Sequence, residues 1–359
     1  METALQKALR SGETPEQLKE RLGVGFYVHP SLPLVGFKYS QIDSPKADPV
    51  VLASRGTVLE KDTWNLVAQP FFRFFNYGEQ ETDKKFVFPG SSAFAKEDGS
   101  LMIVYNYNEN WHVNTSGSFG IQECGFSGKT WGQLFWETSK LDKSKLDPKN
   151  TYIFELCTVW NKIVRMYPEP KTPLTGVIET ATLHDYPNPW VKAVGEELGV
   201  GYPALVYFSS IQEVHDCLTQ TSAKDPTFEG LVLRDMNGLR VKIKTDTYLA
   251  LHHMADNGNL GNPKYIVKYL LKGEKDEIIT YFPELKAKIE DVEATLNTHK
   301  QALLALWEET KGIVAQKDFA LAIVGNTPFT GILFNARKTG ADPAKIWHES
   351  DELIVKVLY

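Results

Sequence analysis

Apolar positions at Leu18, Leu22 and Val24 mark the start of the chain as helical, and Thr14-Pro15-Glu16 offers a cap followed by proline at the first turn, so residues 1–25 predict one or two short helices. From Gly25 to about Lys244 the pattern shortens to runs rich in Val, Ile, Phe and Tyr, broken by Gly, Asn, Asp and Pro. Val50–Glu60, Met102–Tyr107, Trp111–Thr115, Tyr152–Val159, Leu231–Arg234 and Leu239–Lys244 read as strands, with helices at Thr130–Lys140 and Pro189–Leu198. Beyond Tyr248 the pattern changes again. After Tyr265–Leu271 comes Pro283, suited to the first position of a helix, and then Leu285, Ile289, Val292 and Leu296 at steps of four, three and four. Those steps draw one apolar stripe, which continues through Leu303 and Leu306. The breaker-rich stretch His252 to Pro263 sets a boundary near 249–262. The expected architecture is therefore α+β: an antiparallel-sheet domain over 1–255, not a doubly wound parallel one, followed by an all-helical domain over 256–359.

Composition narrows this without redirecting it. At 359 residues, 42% hydrophobic and 23% charged, the chain can bury two cores and has no disordered bias. No apolar run is long enough for a membrane helix, and the N-terminus lacks a signal-peptide core, so a soluble, cytoplasmic protein is expected. Cys124, Cys157 and Cys217 are far apart and odd in number, which argues against a disulfide framework or a structural zinc site. The neighbouring pair His252-His253 reads as solvated imidazoles, since adjacent residues do not share a helix face. A net charge of -6 excludes a broadly basic, duplex-gripping surface and leaves a local basic cluster as the means of holding nucleic acid.

Three segments carry the candidate chemistry. Lys96-Glu97-Asp98-Gly99 lies between two apolar runs and predicts a tight strand-to-strand turn, with Gly99 accepting positive φ. A lysine there is either a nucleophile on a rigid scaffold or an ordinary solvated turn residue. Phe228-Glu229-Gly230 enters a strand that Asn237-Gly238 folds back as a hairpin; alternation sets Val241 and Ile243 on one face and Arg240, Lys242 and Lys244 on the other. Like charges about 7 Å apart call for an anion, such as a phosphate chain, or for plain solvent. Glu155, inside the apolar run Ile153-Phe154-Glu155-Leu156, needs a ligand or a surface cation as partner.

In this order, K-x-D-G, a strand with Glu, E-G and K-x-K, the segments resemble the covalent nucleotidyltransferases, and the wording KEDGS, FEL, FEG and VKIK is most similar to the phage T4 RNA ligase 1 family. Ser54-Arg55-Gly56 and Pro70–Asn76 are similar to that family's segment before the lysine, and the likeness covers roughly 35–255. It implies an adenylyltransferase domain over 1–255 in which Lys96 forms lysyl-AMP and Lys242 and Lys244 hold the triphosphate of ATP. Glu155 would fix the nucleoside, and Arg55, Arg73 and Phe75 would line the ATP site beside Gly99. Asp98 and Glu229 would orient Mg²⁺ or the lysine. The implied reaction joins RNA 5′-phosphate and 3′-hydroxyl ends through an RNA-adenylate, in RNA repair, and the helical domain would select the RNA. Two departures stand out: Arg73 replaces the usual lysine, and Asn114-Thr115-Ser116-Gly117-Ser118 lacks the lysine found before the Gly-Ser pair. The rivals are DNA ligation or mRNA capping, which share the lysine chemistry but usually continue into a β-rich OB domain, and a non-catalytic nucleotide- or RNA-binding relative.

Overall fold

The structure, a computed structural model, describes residues 1–125, 127–161, 164–249, 262–281 and 283–359. The chain divides into two compact units, Met1–Ala255 and Asp256–Tyr359. His252 and His253 lie outside the described residues.

The first unit opens with helices Ala4–Arg10 and Pro15–Leu22, each started by a capping box, Thr3 with Gln6 and Thr14 with Gln17. Leu5, Leu9, Leu18 and Leu22 bury against Val35, Phe37 and Leu59 of an antiparallel sheet of four strands: β1 (Val24–Val28), β2 (Leu34–Tyr39), β3 (Arg55–Glu60) and β4 (Leu66–Ala68). The apolar run expected to be one strand over Val50–Glu60 divides in two. Pro49–Ala53 is a helical turn and the strand begins at Arg55. Asp48 caps the Val50 amide and Pro49 takes the first helical position, and these start signals override the β preference of two valines.

The chain then supplies β5 (Phe75–Asn76), β6 (Ser91–Ala95), β7 (Ser100–Tyr107), β8 (Asn110–Asn114), β9 (Asn150–Leu156), β10 (Leu174–Glu179), β11 (His184–Asp185), β12 (Leu205–Phe208), β13 (Gly230–Arg234) and β14 (Arg240–Lys244). They form two sheets of five, ordered β11-β10-β9-β7-β8 and β12-β6-β13-β14-β5. Pairing is antiparallel except between β5 and β14, which run parallel. Helices Trp131–Ser139 and Asn188–Glu197 cover one face of the first of these sheets, burying Tyr152, Phe154 and Leu156 of β9 with Leu134, Phe135 and Val191. Period-two alternation therefore turns Ile153 and Glu155 to the opposite face, where Ile153 packs with Phe71 and Ile178. On the second sheet, helix Ile211–Lys224 packs Val214 and Leu218 on Leu231, Leu233, Val241 and Ile243, with Lys242 and Lys244 on the face away from that helix.

The described elements of the second unit are helical. Lys286–Thr310 buries Ile289, Val292, Leu296 and Leu303 in one core with Phe319, Phe329, Leu333 and Trp347 from the shorter helices that follow. Pro283 does not open that helix; it sits in a single 3₁₀ turn, Pro283–Leu285, just before it.

Candidate functional site

Lys96 follows β6, but the turn after it is not a hairpin. β6 and β7 belong to different sheets, because β6 is flanked by β12 and β13 while β7 is flanked by β9 and β8. Lys96 thus stands where the chain crosses from one sheet to the other. Its amide donates to the Gly230 carbonyl at 2.8 Å, extending the β6–β13 ladder by one residue. Ala93 and Ala95 belong to the helix-covered side of β6, so alternation turns Lys96 toward the open side, where Lys244 projects. Its Nζ lies 2.8 Å from Glu229 Oε1, and Lys244 Nζ lies 3.4 Å from the same oxygen. Glu229 is buried, with its side chain 4% exposed, and two ammonium groups compensate its desolvation.

The turn itself departs from expectation at two residues. Gly99 does not have positive φ. A Cβ there would stand 2.4 Å from the Leu156 carbonyl oxygen, so glycine is needed for backbone to approach backbone at the end of β9. Asp98 is buried, and its Oδ2 accepts from the amides of Val164 and Arg165 at 2.8 and 2.7 Å. That carboxylate secures the loop after β9. Tyr167 completes the clamp: its hydroxyl accepts from the Asp98 amide and donates to Glu97, whose other oxygen pairs with Lys171 at 2.7 Å. Burial and the Glu97 charge beside it push the Tyr167 phenol up, so it stays a neutral donor. Sequence reading gave no role to Glu97, although it sits in the motif turn, and missed Tyr167 and Lys171, which lie in a stretch with no periodicity where a Tyr and a Lys carry no motif.

The hairpin register is Gly230↔Lys244, Val232↔Lys242 and Arg234↔Arg240. Two of the cations on this strand meet described carboxylates of the protein. Lys244 has Glu229, and Arg240 is buried against Asp185 (2.8 Å), Asn188 and the Phe71 ring. Arg240 is thus a core strut between the two five-stranded sheets, since Asp185 belongs to β11. Phe75 lies beside this strand, paired with Val241 across the parallel β5–β14 contact.

Arg55 and Arg73 behave differently. Arg55 lies over the Phe74 ring at 4.9 Å, and Arg73 over Tyr39 at 4.4 Å and Phe75 at 5.6 Å. Each has a buried Nη1 with no hydrogen-bond partner. A guanidinium nitrogen left unpaired in a desolvated place fits an anion with several oxygens, such as a polyphosphate. Glu155 faces the same space. Desolvation pushes its carboxyl up to about 7, opposed by the charges of Lys96 and Arg55 and reinforced by Glu229 and Glu97. Among the described residues Glu155 has no ion-pair partner, and no group of three His, Cys, Asp or Glu is arranged to hold a metal alone. Mg²⁺ does not require such a cage, because it is commonly held by one or two carboxylates together with substrate phosphates.

A family model described as RNA ligase matches residues 53–248, over half of the chain, and the chain belongs to that family. The match spans Arg55, Arg73, Phe75, Lys96, Glu155, Glu229, Lys242 and Lys244. The chain is 29% identical over 289 residues to a protein of Autographa californica nuclear polyhedrosis virus named as a bifunctional polynucleotide kinase/RNA ligase, covering 74% of this chain and 40% of that one. It is 26% identical over 290 residues to an RNA ligase of Rhodothermus phage RM378, covering 64% of this chain and 65% of that one. The chain therefore spans less than two thirds of the length of either relative. Among solved structures, an archaeal ATP-dependent RNA ligase aligns over 78% of this chain and 73% of that one, with 15% identity and a TM-score of 0.47. No described helix is long and apolar enough to cross a membrane.

Proposed function

We propose that the chain is an ATP-dependent RNA ligase that takes AMP onto Lys96 and uses it to join RNA 5′-phosphate and 3′-hydroxyl ends, acting in the cytoplasm in RNA repair. The observation that carries this is the ammonium of Lys96 held by buried Glu229 beside Lys244, and Arg55 and Arg73, each with an unpaired buried nitrogen, add cations for the phosphates. In the first step Lys96 Nζ attacks the α-phosphorus of ATP, the P–N bond forms and the bond to pyrophosphate breaks. Nζ must shed its protons, and Glu229 Oε1 at 2.8 Å is the group in reach to receive one. Lys242, Lys244, Arg55 and Arg73 neutralise charge on the phosphates, with Phe75 lining the site. Mg²⁺ bound with those phosphates would supply further charge neutralisation, and Glu155 would fix the nucleoside. In the second step the RNA 5′-phosphate takes AMP from Lys96, and in the third the 3′-hydroxyl displaces AMP. The helical unit after residue 255 is assigned the choice of RNA.

Incubation with α-labelled ATP and Mg²⁺ followed by a denaturing gel tests the first step. Label should stay on the protein and vanish in Lys96→Ala and Lys96→Arg; label retained by either variant removes Lys96 as the nucleophile.

A further inference from the structure

On the assumption that this chain is an RNA ligase, we propose that Lys38, set over Gly117, forms with Arg55 a subsite for the 5′-terminal phosphate of the RNA. Three independent contacts bring these groups together. Lys38 on β2 is the direct cross-strand partner of Arg55 on β3, which puts both side chains on one face of the sheet. The turn after β8 closes over the same place, since a Cβ on Gly56 would stand 2.8 Å from Ser116 Cα. Finally, a Cβ on Gly117 would stand 2.9 Å from both Cδ and Nζ of Lys38, so the lysine end occupies the space that a side chain at 117 would fill.

The turn is a fixed floor. Thr115 Oγ1 accepts from the amides of Gly117 and Ser118 at 3.1 and 3.0 Å and lies 2.9 Å from Ser118 Oγ. The Lys38 ammonium is therefore brought, from another strand, to the turn that carries no cation of its own. Among the described residues no ion pair joins a carboxylate to Lys38 or Arg55. Two cations on neighbouring strands at one turn repel unless an anion joins them. A terminal phosphate monoester, with two charges and three acceptor oxygens, suits an ammonium and a guanidinium together.

The exposure of Lys38 decides which phosphate. It is exposed, whereas Lys244 is enclosed, its side chain only 14% accessible. A lysine at the open rim suits the end of a polymer entering from solvent more than a nucleotide enclosed beside Lys96.

The test is fluorescence anisotropy of the full chain with one single-stranded RNA carrying either a 5′-phosphate or a 5′-hydroxyl. Wild type should prefer the phosphorylated end by about ten-fold, the size of one charge-assisted contact. Lys38→Ala should lose most of that preference and Lys38→Arg should keep it. Gly117→Ala keeps the charge and has no positive φ to strain, yet its methyl displaces the ammonium, so it should also lose the preference. Preference persisting in both Lys38→Ala and Gly117→Ala overturns the subsite. A loss of pyrophosphate binding in Lys38→Ala as large as the loss of 5′-phosphate preference gives the lysine to ATP and overturns the RNA assignment. Wild type that labels with AMP but ignores the 5′-phosphate also overturns the subsite while leaving the ligase reading intact. Failure of wild type to label at all strikes the ligase reading instead.

Discussion

The first unit holds two clusters of cations that are balanced in opposite ways. Around β14, Lys96 and Lys244 share Glu229, and Arg240 has Asp185. Around β2 and β3, Arg55 and Arg73 rest on aromatic rings and leave a buried nitrogen unpaired. A carboxylate in the first cluster fixes the direction of each ammonium before any ligand arrives. Aromatic faces in the second hold the guanidinium planes but satisfy none of their hydrogen bonds. On the proposed reading, the first cluster orients the nucleophile and the second receives an anion.

Removing Glu229 should break the contrast most severely. Glu229→Ala strips two ammonium groups of their counter-ion, and AMP labelling of Lys96 should fall by about a hundred-fold or more, the size seen when one preorganised electrostatic group is lost. Labelling within three-fold of wild type would reduce the pair to a resting-state contact.

The incomplete cluster should respond in the reverse sense. Arg73→Met removes an unpaired buried nitrogen, so thermal stability without ligand should hold steady or rise. The stabilisation of wild type by added pyrophosphate should shrink in the variant. A clear drop in melting temperature without ligand would make the guanidinium a strut, as Arg240 is.

Asp98 separates scaffold from chemistry. Asp98→Asn should cost about 1–3 kcal/mol of stability, because a charge-assisted acceptor of two buried amides becomes a neutral one. The Mg²⁺ concentration needed for labelling should stay where it is; a large increase in that requirement with unchanged stability would restore Asp98 as a metal ligand.

Glu155 should give the smallest effect, and its sign is set by burial. Below the ordinary glutamate value of 4.5 the carboxyl is protonated in both folded and unfolded chains. Between 4.5 and about 7 the folded protein keeps a proton that the unfolded chain has released, so this residue's contribution to stability falls as pH rises through that window. Above about 7 both states are ionised and the contribution is flat. The melting temperature of Glu155→Gln should therefore gain on wild type from pH 4.5 to 7 and then run parallel; a constant offset across the range would mean that Glu155 ionises normally.

Local pattern and tertiary packing divided the work unevenly. The helix start at Thr14-Pro15, the Arg240–Lys244 strand with its alternation, and the stripe through Ile289, Val292 and Leu296 were readable, because each depends on residues within a few positions of one another. The motif order Lys96, Glu155, Glu229, Lys242, Lys244 was readable as well, and it led to the family that the chain belongs to. The helical turn at Pro49–Ala53 was misread although its signals are local, since the valines were weighed and the Asp48-Pro49 start was not.

What the chain could not disclose is which strands become neighbours. That Lys96 sits at a crossover between sheets, that Gly99 must admit the Leu156 carbonyl, and that Arg240 finds Asp185 all depend on pairings between strands distant in sequence. The same holds for charge: sequence shows which side chains can carry it, but desolvation and distance decide whether it is cancelled, as at Lys244, or left for an anion, as at Arg55 and Arg73. Residue types and their spacing determined the elements and the chemistry available to this protein; the assembled sheets decided which of those groups meet, because burial and hydrogen bonding are properties of the fold and not of any short segment.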